Sequence, residues 1–296
     1  MASDQTLLLV PGAGHHHEDA WWEALRHGVN REKRKAASKL DGVARRMFDY
    51  EGWERPQDLD AATEIADQRE SLARLQQLSE RKHFRRRGYD ALPGKSALRE
   101  FAYDLAAPMA GAVGLGGWVA GRMVPELVRY WDQDAATLAM KQRFREWLAA
   151  ALSDRSDVVL ICHGFGAVLA WDALWSLSHE PNSRVDQAVS LWLTIGSPLA
   201  DNTVRRRLNG RGEQGAVQHP TNIRRWLNVA AEDDHVCHDE TVSDDFSEML
   251  RVGGCDQIDD QMIYNHAVRH GRSDPHDALG YLIHPTVSDS LIGWVR

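Results

Sequence analysis

Cysteine is scarce in this chain. Three occur in 296 residues, Cys162, Cys237 and Cys255. So small and odd a set argues against a disulfide framework and fits a reducing compartment. Basic excess is missing too. The formal net charge is −8, which leaves no footprint for a nucleic-acid partner. The local basic clusters between Arg81 and Arg87 and between Arg205 and Arg207 read as solvated faces. The N-terminus has no basic region followed by an apolar signal core; TLLLVPG, from Thr6, reads as a buried strand ending in a turn. A cytoplasmic protein is therefore expected. A long apolar span is lacking as well. The stretch from Leu105 to Gly121 carries no charge, but it falls short of the roughly 20 residues that cross a bilayer, and its glycines weaken a helix. Burial is expected for it, with a mobile lid or a membrane-surface contact as the alternatives. Repeated metal-ligand spacing is absent. His15, His16 and His17 form one local run and His235, Cys237 and His238 another, and adjacent residues seldom converge on one ion without partners elsewhere. No internal repeat or disordered linker interrupts the chain.

Hydrophobic residues make up 43% of the chain and charged residues 26%, and there are eleven tryptophans. Length and composition suit one α/β domain with a fully buried sheet. Short apolar runs alternate with long helical patterns, as in a parallel sheet wrapped by helices. Leu7–Val10 reads as a strand before Pro11-Gly12-Ala13-Gly14, and a helix with Trp21, Trp22 and Leu25 follows. VARRMFDY, from Val43 to Tyr50, reads as a second strand interrupted by two arginines. Asp60 to Lys82 is helical, with Asp60 as N-cap. Glu126 to Leu152 reads as one long helix. Asp157–Ile161 is the clearest buried strand, and it runs through Cys162-His163-Gly164-Phe165-Gly166 into a helix from Ala167 to about Ser178. Strands are expected at Leu191–Ile195 and Ile223–Val229, and a last helix from Pro285 to Val295. Residues 51–130 read as a helical insertion, cap-like, within a single domain spanning 1–296.

A strand, a sharp turn and a helix around G-x-S-x-G form a nucleophile elbow. Its central residue sits in a strained backbone conformation, so its neighbours must be small, and the helix behind it points its N-terminal dipole and free N–H groups at the site. In VVLICHGFGAVLAWDALW, Cys162 replaces the first glycine of that pattern. Gly164 stands where the serine would be, and Gly166 keeps the last glycine.

With these motifs the sequence resembles bacterial α/β-hydrolases of the serine esterase/lipase type, most densely after Glu126. VPGAG resembles the turn that supplies an oxyanion-hole amide. LTIGSPL resembles the strand and turn after the elbow helix, WLNVAAEDDHV the acid-bearing loop, and PHDALGYLIHPTV the loop with the catalytic histidine. The resemblance implies an α/β-hydrolase fold, a mostly parallel central sheet flanked by helices with a helical insertion. It implies His276 as general base, Asp234 as the acid that orients it, and the backbone N–H groups of Ala13 and Phe165 as oxyanion donors. It implies hydrolysis of a small-molecule carboxylic ester with no cofactor, and the Trp and Leu supply around the insertion points to a partly apolar ester. Gly164 leaves the nucleophile's position without a side chain, so this chain is expected to be inactive or nearly so. Two accounts fit: an inactivated variant of a working hydrolase, or a natural pseudoenzyme that keeps its cleft for a ligand or partner.

Rivals exist for each role. Asp233 and Asp239 compete with Asp234; His266, His270 and His284 compete with His276. His163 is expected to pack beside the turn with no catalytic duty, Cys162 to be a small buried hydrophobe, and Ser197 to have a structural place near the site.

Overall fold

Leu7–Val10 and Val158–Cys162 are apolar at every position, so neither can show a face to water. The computed structural model places both at the centre of a six-stranded parallel sheet. It describes residues 5–12, 16–53, 61–80, 84–95, 125–153, 157–181, 185, 187–211, 217–237 and 241–295. The strands are β1 (Gln5–Val10), β2 (Ala44–Met47), β3 (Asp157–His163), β4 (Leu191–Ile195), β5 (Arg225–Ala231) and β6 (Gln257–Ile263), in the order β2-β1-β3-β4-β5-β6. A two-stranded antiparallel hairpin, β7 (Val268–Arg269) and β8 (Arg272–Ser273), lies apart from the sheet.

The alternation of side chains along each strand divides the core in two. Leu8, Val10, Leu160 and Cys162 pack under α5 (Pro125–Asp132), α6 (Ala135–Ser153) and α7 (Phe165–His179). Leu7, Leu9, Val159, Ile161 and Leu193 pack under α1 (Glu18–Glu32), α10 (Ala278–Leu282) and α11 (Pro285–Trp294). Among the described residues five tryptophans are buried: Trp21, Trp53, Trp171, Trp192 and Trp226. The rings of Trp192 and Trp226 stack with centroids 4.6 Å apart.

The expected long helix over Glu126–Leu152 is two helices. Gln133 takes a φ of 52° between them, and the Asp134 carboxylate accepts from the Thr137 N–H at 2.6 Å, capping the second. Strand β6 escaped the sequence reading because Asp259 and Asp260 interrupt it. Asp260 accepts from the N–H groups of Val242 and Ser243, and from the Asn228 amide at 3.1 Å, so its charge is satisfied within the edge strand. Helix α2 (Arg34–Leu40) leads into β2, and after β2 come α3 (Ala61–Glu80), packed on α1 and α10, and the short α4 (Arg86–Asp90); the short α8 (Asn202–Arg205) and α9 (Ser247–Arg251) follow β4 and β5. The stretch 105–121, Asp60 and Ala13 lie outside the described residues. Among the described residues no helix is long and apolar enough to cross a membrane.

One glycine fixes how β1 meets α7. A Cβ on Gly166 would lie 2.6 Å from the carbonyl oxygens of both Val10 and Pro11. These are backbone atoms that cannot swing aside. Gly166→Ala is expected to cost about 3 kcal/mol, read as a fall in Tm of roughly 6–12 °C.

Candidate active site

The chain crosses from the β1/β2 side of the sheet to β3, and at that switch point parallel sheets open a crevice beyond their carboxyl ends. The turns after β1, β3, β4 and β5 and the loop before α10 meet there. Gly164 follows His163 at the end of β3 with φ 52° and ψ −123°, and its N–H donates to the Ile195 carbonyl at 3.1 Å. That conformation is open to glycine and strained for other residues. Helix α7 begins at the next residue, Phe165. Its first N–H groups have no carbonyl of their own helix to bond, and its dipole presents positive charge to the same point.

Asp234 and His276 come together across the crevice. His276 Nδ1 lies 2.9 Å from Asp234 Oδ2 and 3.0 Å from Oδ1. The Asp234 carboxylate is fully buried and also accepts from the Tyr281 hydroxyl at 2.5 Å and the Val236 N–H at 3.0 Å. Burial pushes its pKa up, but the His276 charge and these hydrogen bonds outweigh it and hold it below the usual carboxylate value. For His276, burial pulls the pKa down, while the charge and hydrogen bond of Asp234, then Asp274 and Asp277, carry it above the ordinary histidine value. The imidazole keeps 35% of its side chain exposed, so its other nitrogen can be reached from the crevice. That nitrogen, Nε2, lies 3.2 Å from where a Cβ on Gly164 would stand.

The rivals are occupied elsewhere. Asp233, at φ 63°, accepts from the Tyr89 hydroxyl at 2.8 Å and pairs with Lys95 at 2.8 Å. His266 Nδ1 bonds the Tyr264 carbonyl, His284 caps α11 through Thr286, and His270 sits beside Glu64 and Asp67. Asp239 lies outside the described residues. Ser197 is buried and its hydroxyl accepts from the Leu199 N–H. Cys162 is buried with its Sγ 3.3 Å from the Trp192 Nε1, and burial raises the thiol's pKa, so it stays protonated. His16 packs edge-on against Trp21 and His163, and burial lowers its pKa to about 4. Among the described residues no cluster of His, Cys, Asp or Glu is placed to hold a metal ion; His15 and His238 are outside that set. The Phe165 ring is turned into the core, stacked on Trp53 at 5.1 Å, so only its backbone faces the crevice turn.

Three residues at the site carried no role in the sequence reading. Tyr281 holds Asp234. Gly196, at φ 54°, makes room for the pair: a Cβ there would lie 2.8 Å from Asp234 Oδ2 and 3.0 Å from His276 Nδ1. A glycine closing a strand is a sequence signal for such close approach. His163 does more than pack beside the turn, since its Nε2 lies 2.7 Å from the His276 carbonyl oxygen.

The loop that carries His276 is tied to α3. Arg269 pairs with Glu64 and Asp67 on that helix, and with Asp277 at 2.8 Å. Asp277 in turn caps α10 through the Leu279 N–H. Asp274 accepts from the His276 N–H at 3.1 Å; burial, then the Asp277 charge, push its carboxyl up to about 6. The Arg269 side chain is only 12% exposed. Arg269→Met would leave three carboxylates facing one another with their cation gone, at a cost of about 2–4 kcal/mol. Urea unfolding should show the midpoint falling with an unchanged m-value.

No protein-family model matches the chain, and no curated protein matches its sequence.

Proposed function

We propose that this is an α/β-hydrolase fold with a serine-type carboxylic ester hydrolase site whose nucleophile position is filled by glycine. The observation that carries the reading is the position of the missing Cβ. It points at His276 Nε2, 3.2 Å away, while the other ring nitrogen is held by Asp234. A hydroxyl one bond further along would sit between that nitrogen and the start of α7.

In such a site the hydroxyl oxygen attacks the ester carbonyl as His276 Nε2 takes its proton. The negative charge of Asp234 stabilises the imidazolium, and the Phe165 N–H donates to the developing oxyanion. The C–O bond to the alcohol then breaks, and His276 returns the proton to the leaving oxygen. Water repeats the sequence on the acyl-enzyme. With Gly164 the first bond cannot form. The chain as it stands holds an ester without acylating on it, which is also what a natural pseudoenzyme acting as a ligand-binding module would do.

The test is to supply the hydroxyl. Gly164→Ser should hydrolyse short p-nitrophenyl esters, and His276→Ala in that background should not. A folded Gly164→Ser protein inert toward a broad ester panel rejects the hydrolase reading in favour of the binding module.

A further inference from the structure

The Asp234 carboxylate fixes the His276 ring through Nδ1, but it does not fix how far the loop carrying His276 stands from position 164. We propose that His163 is the positioning residue that does so, donating its Nε2 proton to the His276 carbonyl. The inference rests on the hydrolase reading of the site and assigns a role within it to a residue that has none in the motif.

The geometry is short and direct. His163 Nε2 lies 2.7 Å from the His276 carbonyl oxygen, and the two rings sit 4.4 Å apart, tilted by 32°. His163 is the last residue of β3, a strand paired on both sides, with β1 and with β4. It is therefore as rigid a support as the sheet offers, one residue from Gly164. The loop it holds, from Asp274 to Asp277, belongs to no strand or helix. His163 thus transmits the position of the sheet to the main chain of His276, while Asp234 sets the ring. Together they fix the imidazole at two points.

The tautomer follows from the partner. A carbonyl only accepts, so Nε2 carries the proton and Nδ1 keeps its lone pair. Nδ1 is buried with no partner among the described residues, beside Gly12, where a Cβ would stand 3.7 Å away. The ring packs against Trp21 and Tyr281, at 6.1 Å and 6.3 Å. Burial, then the charges of His276 and His16, drive its pKa well below the ordinary value. His163 therefore stays a neutral donor while its neighbour gains and loses protons, and it does not compete for the proton that His276 must carry.

A core histidine serving only as filler would tolerate any side chain of similar volume. A positioning donor requires an N–H. In the Gly164→Ser background, His163→Phe is expected to lower kcat toward a p-nitrophenyl ester about 10–100-fold with KM changed less than about twofold, because a small displacement of a catalytic group costs rate and not binding. His163→Gln, whose amide can donate to the same carbonyl, is expected to keep kcat within about fivefold. His163→Met, flexible and without a donor, repeats the loss should the phenyl ring prevent folding.

A second readout needs no turnover. In the chain with Gly164 unchanged, the His276 Nδ1 proton shared with Asp234 should give a downfield NMR resonance that His163→Gln keeps and His163→Phe or His163→Met loses. Equal kcat in the Gln and donor-free variants, with the resonance unchanged, overturns the proposal. An inert Gly164→Ser protein counts against the hydrolase reading alone, and the NMR comparison still decides for or against His163.

Discussion

Gly164→Ser is expected to raise hydrolysis of a short p-nitrophenyl ester at least about a hundredfold over the chain with Gly164. In triads of this kind the nucleophile and base act as a unit, and losing either removes about 10⁶ in kcat. Full recovery is not expected in one step. The Cβ would approach His276 Nε2 to 3.2 Å, so the imidazole must give by a few tenths of an ångström. It has somewhere to go, since 35% of the side chain faces the crevice. The same substitution costs stability. A side chain at φ 52° is strained by about 1–3 kcal/mol, equivalent to a fall in Tm of roughly 2–12 °C. Gly164→Ala should show that fall with no activity. The pair of variants separates chemistry from strain: equal melting temperatures with hydrolysis only in the serine variant is the signature sought.

Asp234→Asn in the Gly164→Ser background is expected to lower kcat by about 10³–10⁴, with little change in KM. The carboxylate accepts from three donors: His276 Nδ1, the Tyr281 hydroxyl and the Val236 N–H. An amide offers one accepting oxygen, and its NH₂ turned toward Nδ1 would select the tautomer with the proton on Nε2, where the base must be empty. The charge that stabilises the imidazolium is lost as well. A loss smaller than tenfold would show that the pair is structural.

The same pair sets a pH window for stability. The pKa of His276 is raised on folding, so its contribution is complete below the unfolded value, about 6.5, and fades as pH rises through the folded value. The pKa of Asp234 is lowered, so its contribution is complete above about 3.9 and fades as pH falls through the folded value. The Tm difference between the unsubstituted chain and His276→Gln should therefore be largest between about pH 4 and 6.5 and shrink at pH 9. A difference that grows with pH would contradict the assignment of the charged pair.

Much of the frame was legible in residue order. The apolar runs at Leu7–Val10 and Val158–Ile161, and Leu191–Ile195 with its single threonine, specified strands buried on both faces, and all three are adjacent in the sheet. Asp233 and Asp234 could not be separated on sequence grounds beyond the His-Val step that follows. Their neighbours separate them: Tyr89 and Lys95 engage the first, His276 and Tyr281 the second. Tyr281 follows His276 by five residues, and its aim at Asp234 depends on how α10 packs. The break at Gln133 was illegible because the apolar spacing continues through it, while the backbone conformation does not.

Residue order alone determined that the turn between strand and helix at position 164 carries a glycine. It also determined alternation of strand and helix, because burial periodicity is a local property. Only the tertiary structure decided which acid meets which histidine, that the vacant Cβ position faces His276 Nε2, and that His163 reaches the His276 carbonyl 113 residues away. Those contacts join the ends of separate strands, and the distance between strand ends is set by how the sheet twists and packs, not by the spacing of residues along the chain.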